Sequence, residues 1–411
     1  MSREMKDSGI VWIGEIPEHW EVMPHKWIMH KEKEIVNHRG EDILSLTKKG
    51  VIVRDLNAGG KMPLSFDGYQ VVHKGELLQC LYDIDVTPCC VGLVKDEGLV
   101  SSSYSRFVVH SNGYAPYFCY LLSFMDEKKV LLHLSKNLRN SLTETDFGAI
   151  ATCFPPLKEQ QSITDYLDNK CSEIDELISL QEKMIEELKA YKQSVITEAV
   201  TKGLNPDVSM KDSGIEWIGE IPEHWKVMPH KWIMHKEKEI VNHRGEDILS
   251  LTKKGVIVRD LNAGGKMPLS FDGYQIVHKG ELLQCLYDID VTPCCVGLVK
   301  DEGLVSPSYS RFIVHSNGYA PYFCYLLSFM DEKKVLLHLS KNLRNSLTET
   351  DFGAIATCLP PLKEQQTIAD YLDTKCSEIE TLISLKQVKI EELKEYKKSI
   401  IYEYVTGKKE I

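Results

Sequence analysis

The sequence predicts an α+β protein (α/β mixed) in which two β-rich domains alternate with two long α-helices. Two observations predict this fold class. Most of the sequence is a tandem repeat, and each copy joins a segment with the pattern of strands to a segment with the pattern of a helix. The sequence from Met5 onward recurs from Met210 onward at a constant offset of 205 residues. A period this long indicates complete domains, because solenoid units repeat every ~20–50 residues.

The two copies are nearly identical over the first part of the repeat. Between Met5 and Gln161 only six positions differ from the second copy. The six pairs are Val11/Glu216, Glu21/Lys226, Val71/Ile276, Ser102/Pro307, Val108/Ile313 and Phe154/Leu359. We therefore expect two domains of the same fold that present two equivalent surfaces.

Each copy begins with the pattern of a β-rich domain. Between Gly50 and Cys153, short apolar runs such as Val51–Val53 and Val91–Val94 are separated by Gly, Asn and Pro residues. Such runs are typical of short strands that are connected by turns. Short helices are predicted at Tyr117–Met125 and Glu127–Leu134, where apolar residues recur at helical spacing.

Each copy ends in a long helix. From Leu157 to about Val200 the chain contains no Pro or Gly, and Pro156 suits the first helical turn. A mostly apolar seam in steps of four and three residues runs from Leu167 to Val195 and again from Leu372 to Ile400, as in a coiled coil. We expect the two helices to pair antiparallel about a pseudo-two-fold axis. The alternative is that each seam packs on its own domain.

Composition indicates a globular protein, since 43% of the residues are hydrophobic and 27% are charged. No apolar run has the ~20 residues of a membrane-spanning helix, and no targeting segment is recognisable, so we expect a cytoplasmic protein without a membrane role. The 12 Cys residues are expected to be reduced thiols, with a metal or redox role for Cys89-Cys90 as the alternative. The net charge of −11 argues against nucleic-acid binding by diffuse electrostatics alone.

Two motifs occur in both copies. The opening motif is D-S-G-I-V-W-I-G-E-I-P-E-H-W from Asp7 to Trp20, and the helix motif is P-P-L-K-E-Q-Q-S-I from Pro155 to Ile163. Together they resemble the motifs of Type I restriction-modification specificity (S) subunits, whose target-recognition domains begin with G-x-I-P-x-x-W and whose conserved helices begin with P-P-L-x-E-Q-x-x-I. The resemblance covers essentially the whole chain. We interpret Trp20 as a packing residue and Glu159-Gln160 as residues that cap or dock the helix, without a catalytic role.

The resemblance implies target-recognition domains over residues 1–156 and 210–361 and conserved helical spacers over residues 157–209 and 362–411. It also implies a non-catalytic DNA-binding subunit that reads one half-site of double-stranded DNA with each domain. Two methyltransferase subunits using S-adenosylmethionine would bind the helices and modify adenine in each half-site. Restriction subunits, which combine translocase and nuclease activities and use ATP and magnesium, would join for cleavage. No cofactor or metal is expected in this chain.

The charge distribution fits such a division of labour. Residues 158–202 carry 6 Lys against 10 Asp and Glu, and residues 1–157 carry 17 Lys and Arg against 20 Asp and Glu. The recognition domain is therefore not basic, and most phosphate contacts must come from partner subunits. We expect weak DNA affinity for the chain alone.

Three polar segments are candidates for DNA contact, because Arg favours guanine edges and Asn or Gln favours adenine edges. The first, Ser135–Thr143, combines two cations, two amides and three hydroxyls, and its alternative is a solvated helix end. Its candidates are Lys136, Asn137, Arg139 and Asn140, with the copies Lys341, Asn342, Arg344 and Asn345.

The second candidate segment is a Gly-containing basic loop from Thr47 to Lys61, which a hairpin turn explains equally well. The third is Ser101–Arg106, whose alternative is a polar strand edge. The second segment supplies Lys48, Arg54 and Lys61, with the copies Lys253, Arg259 and Lys266. The third supplies Tyr104 and Arg106, with the copies Tyr309 and Arg311.

Other function classes have less support in the sequence. An enzyme would need a cofactor loop or a metal-spaced cluster, and neither a G-x-G-x-x-G motif nor a defensible histidine triad is present. A coiled-coil assembly protein would have no use for two elaborate β-rich domains. A specificity paralogue that serves methylation only stays open. Because the two domains match and the helices are expected to run antiparallel, the predicted target is an inverted repeat.

Overall fold

The computed structural model describes residues 3–38, 40–57, 63, 65–87, 90–135, 140–242, 245–262, 270–292, 295–340 and 345–411. It divides into two compact units. Unit 1 comprises Met1–Glu182 with Gln387–Ile411, and unit 2 comprises Lys183–Lys386. Each unit joins a β-rich domain to two helical segments, which confirms the predicted fold class. The boundaries predicted for the four parts divide the chain differently and stay a prediction.

The first copy contains the following elements in chain order. The strands are β1 Met5–Asp7, β2 Glu15–Pro17, β3 Glu21–Pro24, β4 Met29–Glu32, β5 Ile35–Val36, β6 Leu44–Thr47, β7 Gly50–Val53, β8 Tyr69–Val72, β9 Leu77–Gln79, β10 Val91–Leu93, β11 Gly98–Val100, β12 Ser105–Val109 and β13 Ala151–Phe154. The helices are α1 Ala115–Glu127, α2 Val130–Leu134, α3 Glu144–Ala149 and α4 Leu157–Lys202, and His25–Trp27 forms a 3-10 turn.

The second copy repeats this order. Its strands are β14 Met210–Asp212, β15 Glu220–Pro222, β16 Lys226–Pro229, β17 Met234–Glu237, β18 Ile240–Val241, β19 Leu249–Thr252, β20 Gly255–Val258, β21 Tyr274–Val277, β22 Leu282–Gln284, β23 Val296–Leu298, β24 Gly303–Val305, β25 Ser310–Val314 and β26 Ala356–Leu359. Its helices are α5 Ala320–Glu332, α6 Val335–Leu339, α7 Glu349–Ala354 and α8 Leu362–Val405, with a 3-10 turn at His230–Trp232.

The β-rich domain of unit 1 is built from small antiparallel sheets. A four-stranded sheet has the order β10-β9-β12-β4, and a three-stranded sheet has the order β11-β8-β5. The hairpin β6–β7 packs closely on β10, because a Cβ at Gly92 would lie 2.5 Å from Leu46 Cδ1. Unit 2 contains the same sheets in the same order.

The opening motif and the helix motif meet where the β-rich domain joins its helix. Strand β3 pairs with β13, which places the start of the domain beside the start of α4. The buried Trp20 indole donates to Glu159 Oε2 at 2.9 Å, and Arg3 Nη2 lies 2.8 Å from the same oxygen. The Gln160 side chain accepts from the Tyr114 amide at 2.7 Å. These contacts agree with the docking role expected for both motifs.

The core of unit 1 is completed by the end of α8, which belongs to the second copy. Ile400, Tyr404 and Val405 are buried among the apolar side chains of the first β-rich domain. The last carbonyls of a helix have no partner within the helix. Here the Val405 carbonyl accepts from the Tyr117 hydroxyl at 2.8 Å. Gly407 ends the helix at φ +70°, where a Cβ would collide with Pro17.

Unit 2 has the reciprocal arrangement. Val195, Ala199 and Val200 at the end of α4 are buried in the core of the second β-rich domain. The Tyr322 hydroxyl donates to the Val200 carbonyl at 3.2 Å, as Tyr117 does in unit 1. Gly203, at φ +77°, follows the helix end. Each unit therefore takes its sheets from one copy and the final turns of a helix from the other.

Within each unit the two helical segments run antiparallel. In unit 1 the Tyr166 and Tyr404 ring centroids lie 4.4 Å apart, and Lys397 Nζ lies 2.7 Å from Asp175 Oδ1. A later residue of α4 thus contacts an earlier residue of α8, as antiparallel helices require. In unit 2, Lys192 at the end of α4 pairs with Glu380 of α8. The seam predicted for a coiled coil thus makes the expected antiparallel contacts inside each unit.

Each copy contains a buried arginine that contacts glutamates from separate parts of the β-rich domain. The Arg106 side chain is 4% exposed, and its Nε lies 2.7 Å from Glu76, whose side chain is 10% exposed. Arg106 also lies 3.0 Å from Glu32 and 3.9 Å from Glu34. In the second copy, Arg311 donates twice to Glu281, both times at 2.7 Å. Such a two-bond pair is among the stronger charged interactions in proteins.

Most elements that the sequence predicts are present, with one helix in addition. The predicted segments Tyr117–Met125 and Glu127–Leu134 correspond to α1 and α2, which are separated where Lys129 adopts φ 57°. Helix α3 was not predicted, although Thr143 and Asp146 form a capping box at its start. None of the cysteines within the described ranges forms a disulfide bond. No helix in those ranges is long and apolar enough to cross a membrane.

The fragment Met1–Asp207, which holds one copy, is expected to form a homodimer. Alone it would lack Ile400, Tyr404 and Val405, whereas a second fragment would supply Val195, Ala199 and Val200 in their place. Size-exclusion chromatography with light scattering measures the mass. A Val200→Asp fragment, which places a charge in that core, is expected not to dimerise. A folded, monomeric wild-type fragment would contradict this account.

Removing the carboxylate of Glu76 should destabilise unit 1 strongly. Removing one partner of a buried ion pair costs about 3–5 kcal/mol of unfolding free energy, and the remaining Glu32, which is 46% exposed, is expected to recover no more than ~1 kcal/mol of it. Urea denaturation of Glu76→Ala measures this loss. The matched control is Glu34→Ala, whose carboxylate is 57% exposed and 3.9 Å from Arg106, and its cost should stay below ~1 kcal/mol. Equal losses in the two variants would show that the Arg106–Glu76 pair does not stabilise the unit.

Candidate nucleic-acid interface

The structure fixes both ends of the first candidate segment. Ser135 Oγ donates to the Leu132 carbonyl at 2.7 Å and closes α2, and Thr143 starts α3 through its capping box. Asn140, near the end of the segment, adopts a left-handed conformation with φ 46°. Lys136, Asn137 and Arg139, with their copies Lys341, Asn342 and Arg344, lie outside the described residues and stay predictions.

Asn140 is bonded to a neighbouring turn at residues 81–87, which we call the 81–87 turn. The Ile84 amide donates to the Asn140 carbonyl at 3.1 Å, and the Leu142 amide donates to the Leu81 carbonyl at 2.9 Å. The second copy repeats both bonds between Ile289 and Asn345 and between Leu347 and Leu286, at 3.1 and 2.9 Å. The end of the first candidate segment is therefore held in a defined place.

The second candidate segment begins as a hairpin turn. Lys48 is exposed at the turn between β6 and β7, where the Thr47 hydroxyl donates to the Gly50 carbonyl at 3.0 Å. Gly50 adopts φ 95°, so the turn accounts for this glycine. Arg54 lies beyond the other end of β7 and is half-buried. Lys253 and Arg259 occupy the equivalent places, whereas Lys61 and Lys266 lie outside the described residues.

Tyr104, from the third candidate segment, lies beside Cys80, because β12 pairs antiparallel with β9 and places Ser105 opposite Gln79. Burial raises the pKa of Tyr104, nearby Cys80 and Tyr69 raise it further, and the Arg54 guanidinium opposes them. In the second copy, burial and Cys285 raise the pKa of Tyr309, and Arg259 again opposes them. The equivalent pairing of Ser310 with Gln284 places Tyr309 beside Cys285 in the second copy.

Arg106 and Arg311 occupy different surroundings from the other candidates. Each guanidinium is 4% exposed and is surrounded by glutamates. A base contact would require the Arg side chain to leave these carboxylates and expose them unpaired. The arrangement supports a structural role for both residues, and the DNA contact predicted for them stays a prediction without geometric support.

The structure joins parts of all three candidate segments around Cys80. Its thiol donates to the Tyr82 carbonyl at 3.2 Å, and the β9–β12 register places Cys80 beside Tyr104, whose pKa burial raises and the Arg54 guanidinium acts to lower. The 81–87 turn is hydrogen-bonded to Asn140. We call Arg54, Tyr104, the 81–87 turn and Asn140 the candidate interface. Lys48 is separated from it by the length of β7.

Sequence patterning did not identify the exposed residues of the 81–87 turn. Tyr82 is 57% exposed and Val86 is 74% exposed, and their copies Tyr287 and Val291 are 54% and 73% exposed. The sequence alternates apolar and acidic residues from Tyr82 to Val86, which is also the pattern of a half-buried strand. Only the folded turn reveals that Tyr82 and Val86 project into solvent.

Within the described ranges, no three His, Cys, Asp or Glu side chains are arranged to hold a metal ion. The candidate interface instead offers hydrogen-bonding, aromatic and apolar groups on a structured scaffold. Such groups can contact the edges of bases or polar atoms of a partner, and Arg54 can contact an anion.

Comparison with curated proteins shows similarity along nearly the whole chain. The putative type I restriction enzyme MjaX specificity subunit of Methanocaldococcus jannaschii is 26% identical over 96% of this chain and 95% of the relative. The type I restriction enzyme MjaVIII specificity subunit of the same organism is 30% identical over 64% of this chain and 63% of the relative. No sequence-family model matches the chain.

Solved structures share the fold. A chain from a structure that describes complex assembly and conformational transition of the type I R-M system has a TM-score of 0.68 at 14% identity, over 95% of this chain and 98% of that chain. The HsdS subunit from Thermoanaerobacter tengcongensis has a TM-score of 0.53 at 13% identity over the same shares, 95% and 98%. With both motifs present in each copy and one relative that matches over nearly its whole length, the chain is similar to type I restriction enzyme specificity subunits and shares the fold of solved ones.

Proposed function

We propose that this chain reads a bipartite sequence in double-stranded DNA for a type I restriction-modification complex and has no catalytic centre of its own. The observation that carries the proposal is the near-identity of two complete β-rich domains, each followed by a long helix, in a chain similar to this family. Two equivalent domains present two equivalent sets of side chains. Each domain reads one half-site.

The candidate interface supplies the chemistry for such contacts. Arg54 is placed to contact phosphate or a guanine edge, and Asn140 to hydrogen-bond a base or sugar. Lys136, Asn137 and Arg139, which precede Asn140 in the sequence, add two cations and an amide to each copy. This set is small for a protein with a net charge of −11, so the proposal assigns most phosphate contacts to partner subunits.

Catalysis belongs to the partners under this proposal. Two methyltransferase subunits that use S-adenosylmethionine bind the long helices and flip an adenine out of each half-site for methylation. Restriction subunits that use ATP and magnesium join for cleavage. Exposed apolar side chains on both helices support docking, since solvent-facing apolar rows are a feature of interfaces. They are Leu177, Leu180 and Tyr191 on α4 and Leu382, Leu385, Val388 and Tyr396 on α8.

Two alternatives differ from this proposal in their partners. A specificity paralogue used for methylation only would bind methyltransferase subunits but no restriction subunit. A coiled-coil assembly protein would bind neither and would not affect DNA methylation. Co-purification of the chain with the products of its neighbouring genes, followed by identification of the bound subunits, separates the three cases.

The target is expected to be an inverted repeat with an adenine in each half-site. The two domains differ at few positions, and the helical segments from the two copies run antiparallel within each unit, so equal half-sites of opposite polarity follow. Long-read methylation mapping of DNA from cells that express the complex identifies the target. As a control, changing the length of both helices by a few residues should alter the spacer alone. Two unrelated half-sites in the map would refute the proposal of equal half-sites.

The isolated chain is expected to bind DNA weakly at physiological salt. Non-specific binding by proteins has a Kd of roughly 10⁻⁴–10⁻⁶ M, whereas specific complexes reach about 10⁻⁸ M or tighter. Fluorescence anisotropy with a target duplex compares the chain alone with the complex that contains its methyltransferase partners. We expect at least a ~100-fold difference in Kd between them. Tight, sequence-specific binding by the chain alone would show that the partners are not needed for phosphate contacts.

A further inference from the structure

We infer that the 81–87 turn, with its copy at residues 286–292, enters the major groove of the half-site and contacts base edges through Tyr82 and Val86. This role rests on the proposed function and adds a specificity-determining element to it. Four observations support it: exposure of apolar side chains, rigidity of the turn, its position in the candidate interface, and its charge.

The turn exposes apolar side chains that the core does not need. Val86 is 74% exposed and Tyr82 is 57% exposed, whereas Ile84 between them is fully buried at 0%. Ile84 anchors the turn, so the fold does not depend on the two exposed side chains. The second copy has the same arrangement, with Tyr287 at 54% and Val291 at 73%. A partner that covers these groups would gain apolar contact area.

The backbone of the turn is held in one shape. The Asp83 carbonyl accepts from the Val86 amide at 3.1 Å, from the Thr87 amide at 3.0 Å and from the Thr87 hydroxyl at 2.8 Å. Asp83 adopts φ 47°, which is uncommon for a residue other than glycine. Residues in such conformations cluster at binding sites. The turn is thus formed before a partner binds, which lowers the entropic cost of binding.

The position of the turn favours DNA as its partner. Asn140, at the other side of the Ile84 amide, has the second left-handed conformation of this region, φ 46°. On the opposite side, Cys80 is bonded to the Tyr82 carbonyl and lies beside Tyr104 across the β9–β12 pair. The exposed side chains are therefore continuous with the hydrogen-bonding and cationic groups of the candidate interface rather than with the apolar rows on α4 and α8.

The negative charge of the turn indicates that it contacts base edges rather than the phosphate backbone. Asp83 and Asp85 are exposed and would repel phosphates. Carboxylates instead accept from the amino group of cytosine in the major groove, and apolar side chains contact the thymine methyl group there. Val86 and the Tyr82 ring suit the methyl contact. Arg54 of the candidate interface suits the flanking phosphate or a guanine edge.

The tandem repeat allows each half-site to be tested separately. Three chains are compared in the complex with methyltransferase partners: Tyr82→Ala with Val86→Ala, Tyr287→Ala with Val291→Ala, and all four substitutions together. Methylation rates are measured on the mapped target and on duplexes with every single base-pair change. We expect a pair in one copy to reduce the rate on the target about tenfold and to relax specificity in one half-site only. The fourfold variant should relax both.

Two further variants control for indirect effects. Val11→Glu changes an exposed apolar residue to the residue that the second copy has at Glu216, and it should leave rate and specificity unchanged. Val86→Thr keeps the side-chain shape and replaces one methyl with a hydroxyl, so it should change the preference at a single base pair even if the double variants fold poorly.

Each other outcome overturns the inference. Unchanged specificity in the fourfold variant would show that the turn does not contact bases. Loss of complex assembly with unchanged specificity would show that the turn docks a protein subunit instead. If the wild-type complex shows no sequence-dependent methylation, the proposed function itself fails, and that result appears before any variant is compared.

Discussion

The burial of each helix end in the core that the other copy begins is the constraint on which the rest of the structure depends. Val405 and Val200 are each 0% exposed, and their carbonyls accept hydrogen bonds from the buried hydroxyls of Tyr117 and Tyr322. The last turns of each helix therefore have a fixed register against the domain that they complete. Because the two copies match, each can complete the core of the other.

The charge of Arg106 is also constrained by its position inside the domain. Arg106, which the sequence offers as a DNA-binding cation, is neutralised inside the domain by Glu76 and Glu32. A buried charge must be paired, so this arginine is unavailable without breaking the cluster. Turns at Asp83 and Asn140 instead hold hydrogen-bonding groups in defined positions. Under the proposed function, such a surface would supply the specificity and the partner subunits most of the affinity.

The sequence was sufficient for features that depend on local pattern. The duplication, the long helices and the docking roles of Trp20 and Glu159 follow from repeats, helix signals and motifs. Features that depend on distant residues were not predictable from one chain. Arg106 is buried because Glu32, at the end of β4, and Glu76, just before β9, converge on it, and Tyr82 is exposed because Ile84 takes the buried place in the turn. Both outcomes require the tertiary fold.

The central claim is that the two units are equivalent readers, and chains with two identical copies test it most directly. The six differing positions between Met5 and Gln161 are changed so that both copies carry the first set, or both carry the second. Each chain is expressed with its partner subunits, and the methylated sequence is determined. The account predicts that both chains methylate the same target as the wild type. A chain that methylates a different half-site from the wild type would contradict it.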